Sequence, residues 1–123
     1  MSSSPAQSLR VLPSRFTVEH LAEARVPPDD AWVALVRAPE GLTVVRATDA
    51  SDQRELWVGF YGGDTAHDLD VPGMLAALLA PLAAAGVPVF VASTFHADLV
   101  LVPADRRADA VVALRGAGHF VAE

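Results

Sequence analysis

The stretch that decides the fold runs from Asp70 to Asp98 and reads DVPGMLAALLAPLAAAGVPVFVASTFHAD. Its first part predicts a helix beginning at Pro72, because a first helical turn does not need the N–H that proline lacks. Leucines recur three and four residues apart, and so share one apolar helix face: Leu75, Leu78, Leu79 and Leu82. Pro81 predicts a local kink in this helix, and Gly86 predicts its end.

The second part of the same stretch predicts a strand and a turn. Residues 87–92 have the composition of a strand, and Pro88 favours an edge position because proline cannot donate to a neighbouring strand. Residues 93–98 are polar and predict a turn. Residues 99–102 are wholly apolar, which is typical of a strand in the interior of a sheet.

Outward from this stretch, the pattern of elements becomes that of a known motif. Residues 56–61 predict a strand before it. A second helix, with Ala108, Val111 and Val112 as its buried face, and a strand at residues 119–122 are predicted after it. The order β-α-β-β-α-β is the ferredoxin-like pattern. We expect its first and third strands to be parallel neighbours in the middle of the sheet, and its second strand to lie at an edge.

The N-terminal part predicts further strands and a weak repeat. Residues 8–21 read as two short strands separated by a turn at Pro13-Ser14. Residues 31–38 are apolar on both faces and predict a central or covered strand. Strand, turn and strand at residues 31–47 repeat the pattern of residues 87–103. We therefore divide the chain into a disordered lead-in (1–7), a first half (8–54) and a second half (55–123).

Composition excludes several classes of function. The 123 residues include no cysteine, and all nine basic residues are arginine, so thiolate metal sites, cysteine nucleophiles and Schiff-base lysines are excluded. The net charge is −6 and the arginines are scattered, which argues against nucleic acid as a partner. No apolar run is long enough for a membrane span, and no secretory signal is evident. We expect a cytoplasmic protein, and the lysine-free composition suggests a GC-rich bacterial genome.

Two short motifs carry a family resemblance. Residues 69–73 (LDVPG) lead into the helix, and residues 92–98 (ASTFHAD) precede the apolar strand. Together they resemble the ACT domain superfamily, in the branch of stand-alone bacterial ACT proteins similar to aspartate-kinase regulatory domains and cytosolic arginine sensors. The resemblance covers residues 56–121 well and residues 8–47 more loosely. It implies an α+β, ferredoxin-like (βαββαβ) ACT domain with a degenerate N-terminal ACT-like half, its antiparallel sheet covered by two helices.

The resemblance also implies a function: binding of a small-molecule amino acid, without catalysis or cofactor, by a regulatory homodimer. It places the ligand between the loop before the helix and the turn after the edge strand, at Asp70, Val71, Gly73, Ser93, Thr94, Phe95 and Asp98. Free N–H groups at a helix start attract a carboxylate, and Asp98 can pair with an ammonium group. Relatives that bind a cationic side chain have an acid where this chain has Ala76 or Ala77, which disfavours arginine as the ligand.

Other interpretations of these residues stay open. Asp98 can simply cap its turn, Ser93 and Thr94 can satisfy backbone groups, and Phe95 can belong to the core or to an interface. The alternative function is a protein–protein interaction module of the same fold. Neither His96 with Asp98 nor His67 with Asp68 and Asp70 has the spacing of a metal site.

Two further hypotheses concern the histidines. A Ser-His-Asp hydrolase site at Ser93, His96 and Asp98 is rejected, because the three residues are crowded into one turn without a nucleophile elbow. His20 and His119 are expected at the surface or at an interface.

Overall fold

The computed structural model describes residues 6–23, 25–49, 55–63 and 72–123. Within this part, the strands are β1 (Ser8–Leu21), β2 (Trp32–Ala38), β3 (Gly41–Thr48), β4 (Trp57–Tyr61), β5 (Phe90–Val91), β6 (Leu99–Pro103) and β7 (Phe120–Ala122). The helices are α1 (Met74–Ala84) and α2 (Arg107–Gly116), and a 3-10 turn at Ala104–Arg106 leads into α2. The predicted order of elements in the second half is therefore confirmed.

One sheet contains all of these strands, in the order β2-β3-β1-β4-β6-β5, with β7 paired to β1. The pairing of β4 with β6 is antiparallel, so the prediction that these two strands are parallel neighbours was wrong. The reason is the hairpin between β5 and β6. Strands β4 and β5 are both antiparallel to β6, which lies between them. Helix α1 connects β4 to β5.

The second strand of that unit, β5, lies at the sheet edge, as Pro88 predicted. It is shorter than expected, however, because only Phe90 and Val91 pair with β6. Val87 is buried outside the strand, and its N–H donates to the carbonyl of Leu82 in α1 (2.9 Å).

The first strand, β1, is one continuous strand of 14 residues and not the two predicted. Its pairing with β4 is irregular between Val11 and Arg15. Pro13 falls in this irregular segment, where a strand residue can lack its N–H without losing a ladder bond. The first residues of β1 also pair in parallel with β7 (Ser8 opposite Phe120). Consequently β1 lies between β4 and β7, two strands that would be neighbours in a simple ferredoxin-like sheet.

The strand β2 forms the other edge of the sheet, so the prediction of a central or covered strand was wrong. Among the described strands it pairs with β3 alone, and the side chains of Val33 and Val36 are exposed. Apolar residues on both faces of β2 therefore do not indicate a buried strand, because β2 lies at an edge with two valines exposed.

An apolar core lies between the helices and one face of the sheet. The α1 stripe contributes as predicted, with Leu78 and Leu82 fully buried and the other two leucines packed against them. For α2 the predicted face was wrong in part: Val111 is buried as predicted, but Ala108 and Val112 are exposed. The face that enters the core consists of Ala110, Val111 and Leu114. The helix is rotated so that its largest apolar side chain, Leu114, is buried.

A second apolar cluster lies on the opposite face of the sheet. Phe16 of β1, Val45 of β3, and Leu99 and Leu101 of β6 are buried there, with Trp57 of β4 packed against them. No helix of the described chain contributes to this cluster. Both faces of the sheet centre are therefore apolar, which agrees with the wholly apolar sequence of β6.

The helix α1 begins at Met74, two residues later than predicted. Gly73 precedes it as the N-cap with φ 83°, so Pro72 lies outside the helix. Gly86, with φ 72°, follows the C-terminal end as predicted. The helix continues through Pro81, which has no N–H to donate to the carbonyl of Ala77 four residues earlier.

The imidazole of His119 takes the place of that missing donor. Its Nε2 lies 2.8 Å from the carbonyl oxygen of Ala77, and its Nδ1 accepts the backbone N–H of Gln7 (3.1 Å). Because Nδ1 accepts, Nε2 carries the proton and donates. His119 is only 4% exposed, so the expectation of a surface or interface position was wrong.

Candidate functional site

The predicted turn between β5 and β6 is closed by Thr94. The Thr94 N–H donates to the carbonyl of Ala97 (2.8 Å), and the Thr94 hydroxyl donates to the same oxygen (3.1 Å). The hydroxyl oxygen also accepts the Ala97 N–H (3.2 Å). Thr94 thus satisfies backbone groups, which was one of the two interpretations that the sequence left open.

The carboxyl group of Asp98 lies at the end of this turn and is mostly buried, since the residue is 6% exposed. The Ser93 hydroxyl donates to Asp98 Oδ1 (2.8 Å), so both predicted site residues belong to one local network. The backbone of Asp98 also joins the turn to β4, because its carbonyl accepts the N–H of Gly62 (3.1 Å). The turn is therefore fixed against the end of β4.

The second predicted segment lies at the start of α1. Gly73 is exposed, and its backbone is in the left-handed conformation. A β-carbon on this residue would have no heavy atom within 4 Å. Its carbonyl accepts the N–H of Ala77 (3.0 Å). The N–H groups ahead of Ala77 have no partner within the helix, as at any helix start. The predicted residues Asp70 and Val71 lie outside the described residues.

Gln7, which sequence analysis assigned to the lead-in, connects these two segments. It is 2% exposed, and its side-chain Nε2 donates to the carbonyl of Met74 (2.7 Å). A β-carbon on Gly62 would lie 3.8 Å from Gln7 Oε1 and 3.8 Å from the Asp98 carbonyl oxygen. Hence the start of α1, the end of β4 and the turn lie at the same end of the sheet.

Part of the chain matches a known protein family. A family model of the ACT domain matches residues 54–116, about half of the chain. The chain belongs to the ACT domain family. The matched region contains β4, α1, β5, β6 and α2 with the turn, so both predicted ligand-binding segments lie within the ACT domain match. None of the curated proteins compared with the sequence matches it.

Solved structures share the whole fold of this ACT domain protein. The protein Atu0741 from Agobacterium tumefaciens superposes with a TM-score of 0.79 at 25% identity, over 95% of this chain and 92% of that one. The protein VC0802 from Vibrio cholerae, described as of unknown function and as a possible transport protein, gives 0.74 at 21% identity, over 95% and 91%. The likeness thus includes β1 to β3, which lie outside the ACT domain match.

Exposed aromatic and cationic groups surround the turn of the ACT domain. Phe95 is 70% exposed, which excludes a core role, and its ring meets that of His96 edge to face (5.0 Å between centroids). The Tyr61 hydroxyl lies 3.3 Å from the Thr94 hydroxyl. The Arg10 guanidinium stands 5.9 Å from the centre of the Tyr61 ring. Sequence reasoning missed Arg10 and Tyr61, because only the pairing of β1 with β4 brings them to the turn.

An ion-pair cluster fixes the loop before β2, at the far end of the sheet. Arg46 of β3 pairs with Glu19 (3.0 Å) and with Asp29. The hydrogen bond from Arg46 holds the pKa of Asp29 below its usual value of 3.8, and the same bond raises the pKa of Arg46. A surface cavity of about 510 Å³ lies beside this cluster, between the loop and His20. His20 is exposed, as expected.

Metal-binding clusters and membrane-spanning helices are both absent from the described residues. These residues contain no group of three or more histidine, aspartate or glutamate side chains able to hold a metal ion, while His67, Asp68 and Asp70 lie outside them. Neither α1 nor α2 has the length and apolar character needed to cross a bilayer.

Proposed function

We propose that this ACT domain protein is a regulatory sensor that binds an amino acid, acts as a homodimer and catalyses no reaction. The observation that carries the proposal is the meeting of two segments at one end of the sheet. The exposed, left-handed Gly73 precedes α1, and the turn ending at Asp98 is hydrogen-bonded to the end of β4. Gln7, which is bonded to Met74, lies between the start of α1 and the end of β4. Membership of the ACT domain family supports regulatory ligand binding.

The chemistry of this end of the sheet suits a zwitterion. The free N–H groups of the first turn of α1 attract an α-carboxylate, and Gly73 lets it approach the backbone closely. The carboxylate of Asp98 and the hydroxyl of Thr94 are suitable partners for an α-ammonium group. Such contacts correspond to micromolar to millimolar affinity, about −8 to −4 kcal/mol. The first turn of α1 has no acidic residue, so a neutral amino acid is favoured over arginine.

The strand order supports a degenerate ACT-like half at residues 8–54, with the ACT domain itself at 55–123. In the first half, β1 pairs antiparallel with β3, and β3 with β2. In the second half, β4 pairs antiparallel with β6, and β6 with β5. First, third and second strands therefore lie side by side in both halves, and the loop before β2 replaces a helix. This repeat supports the branch related to aspartate-kinase regulatory domains and cytosolic arginine sensors.

Exposed Phe95 supports dimerisation through the end of the molecule that carries the turn. A phenylalanine that is 70% exposed beside a ligand turn is suited to cover the ligand from a second copy. Light scattering after size exclusion tests this. Phe95→Ser should weaken the dimer, whereas Phe120→Ser should not, because Phe120 is equally exposed but lies on β7, separated from the turn by β1 and β4.

The edge strand β2 favours the second candidate function, a protein–protein interaction module without a small ligand. Its exposed Val33 and Val36 and its open edge offer a surface for strand pairing. If Val36→Glu abolishes self-association and no amino acid binds, this candidate replaces the sensor. A cytoplasmic location is part of both proposals, because a cysteine-free chain draws no advantage from an oxidising compartment.

A thermal-shift screen of the full chain against the twenty amino acids tests the sensor proposal. A ligand at 100 times its Kd should stabilise the protein by about 2.7 kcal/mol. Asp98→Ala should abolish the shift, whereas Asp105→Ala, which removes an exposed carboxylate beyond the other end of β6, should keep it. NMR of the mixture should show the amino acid unchanged after incubation.

Gly73→Val has a matched control in Gly86→Val, at the other end of α1. Both glycines have positive φ and open surroundings, so valine introduces similar backbone strain at each. Only Gly73→Val should abolish the shift. A flat screen, or equal loss in the two valine variants, would refute the proposed site.

A further inference from the structure

Gln7 stands at the junction of the two ligand-binding segments but belongs to neither. Its Nε2 donates to Met74 O (2.7 Å), so its side chain is bonded to the residue that directly follows Gly73. A β-carbon on Gly62 would lie 3.8 Å from Gln7 Oε1, and the Gly62 N–H donates to Asp98 O (3.1 Å). We propose that Gln7 is a positioning residue of the ligand site, holding the start of α1 against the end of β4. This inference rests on the proposed function.

The backbone of Gln7 is itself fixed on both sides. Its N–H donates to His119 Nδ1 (3.1 Å), and its carbonyl accepts the N–H of Phe120 (2.9 Å). His119 Nε2 in turn donates to Ala77 O, in the first turn of α1 (2.8 Å). Gln7 and His119 thus donate to two carbonyls of α1, those of Met74 and Ala77, which are three residues apart. The buried position of Gln7 keeps water from replacing these bonds.

The consequence for binding follows from distance. A zwitterion needs the N–H groups beside Gly73 and the carboxylate of Asp98 at a fixed separation, and small displacements of such partners weaken binding strongly. The side chain of Gln7 is bonded to Met74 O and lies beside Gly62, and so lies between the start of α1 and the end of β4. Removing its amide should loosen the start of α1 and leave the sheet intact.

Residue-resolved hydrogen exchange of the full chain tests the positioning role without any ligand. Gln7→Met keeps an unbranched buried side chain but removes the amide. Two amides report on the junction: Ala77 N–H, bonded to Gly73 O, and Gly62 N–H, bonded to Asp98 O. Both should exchange about tenfold faster in Gln7→Met, as expected when one buried hydrogen bond is lost. The control Val121→Ala trims the same core but makes no contact of this kind.

The outcomes separate this inference from the proposed function. Selective acceleration of both amides supports the positioning role, whereas unchanged exchange, or equal acceleration in Val121→Ala, overturns it. With the amino acid that gives the largest thermal shift, Gln7→Met should weaken binding at least about tenfold, and Val121→Ala less than about twofold. If none of the twenty amino acids binds the unaltered protein, the proposed function fails, while amide exchange alone still decides the role of Gln7.

Discussion

Replacing His119 by leucine should destabilise the protein, because two buried backbone groups lose their hydrogen-bond partner. Leucine fills a similar volume but leaves the N–H of Gln7 and the carbonyl of Ala77 buried without the partner that His119 provides. An orphaned buried polar group costs about 1–3 kcal/mol, so two cost about 2–6 kcal/mol. Burial of leucine returns about 1.5 kcal/mol or more. We expect His119→Leu to lower the free energy of unfolding by about 0.5–4.5 kcal/mol.

The proline of α1 supplies a direct check on this reasoning. Pro81→Ala introduces an N–H that donates to Ala77 O, so it repairs one of the two groups that His119→Leu orphans. The gain from removing an interior proline is the same in both backgrounds and cancels in a double-mutant cycle. We therefore expect Pro81→Ala to stabilise the His119→Leu variant by about 1 kcal/mol more than it stabilises the parent.

Urea denaturation of the four proteins, followed by circular dichroism, provides the measurement. The slope m should stay constant across the set, so that midpoints report stability directly. A loss below about 0.5 kcal/mol for His119→Leu would refute the reasoning. So would a Pro81→Ala effect that is identical in the two backgrounds, because the bond from the imidazole to Ala77 O would then contribute nothing.

Three further predictions concern packing, capping and charge. Gly59→Ala should cost about 1–2 kcal/mol in urea denaturation, because the new methyl group would lie 2.9 Å from the ring of Phe16; adding Phe16→Leu should recover most of this loss. Arg106→Leu should cost about 1 kcal/mol and speed amide exchange in the last turn of α1, since the guanidinium donates to two carbonyls at that helix end. Because Arg46 lowers the pKa of Asp29, their ion pair should persist above pH 3.8 and be lost as the pH falls below it; in an NMR titration, Arg46→Met should raise the midpoint of Asp29.

Local patterns predicted the second half of the chain well. The leucine spacing, Gly86 and the apolar run at residues 99–102 each reflect a short-range requirement: a helix face, a left-handed cap and a buried strand. The position of β5 at an edge followed from one missing N–H, that of Pro88. These features need no knowledge of which strand lies beside which, so periodicity and single-residue chemistry are sufficient to predict them.

Pairings between distant parts of the chain could not be predicted in the same way. Nothing in Ser8–Leu21 indicates that it separates β4 from β7, and so Gln7 and Arg10 were not recognised as neighbours of the candidate site. The burial of His119 depends on the carbonyl of Ala77, which lies 42 residues earlier in the chain and which Pro81 leaves without a donor. The sequence of α2 fits more than one apolar face, and only packing against the rest of the core shows that the face with Leu114 is buried.

The parallel pairing of β1 with β7 has a consequence for synthesis on the ribosome. The first strand emerges early, but residues 120–122, which cover one of its sides, emerge about 110 residues later. At ~5–20 residues per second, that interval lasts roughly 6 to 22 seconds. During this time the nascent chain carries an open strand edge at Ser8–Arg10, and such edges recruit other strands. A chain that stalls before β7 is made therefore keeps this part of β1 unpaired on that side, and synthesis of β7 covers it.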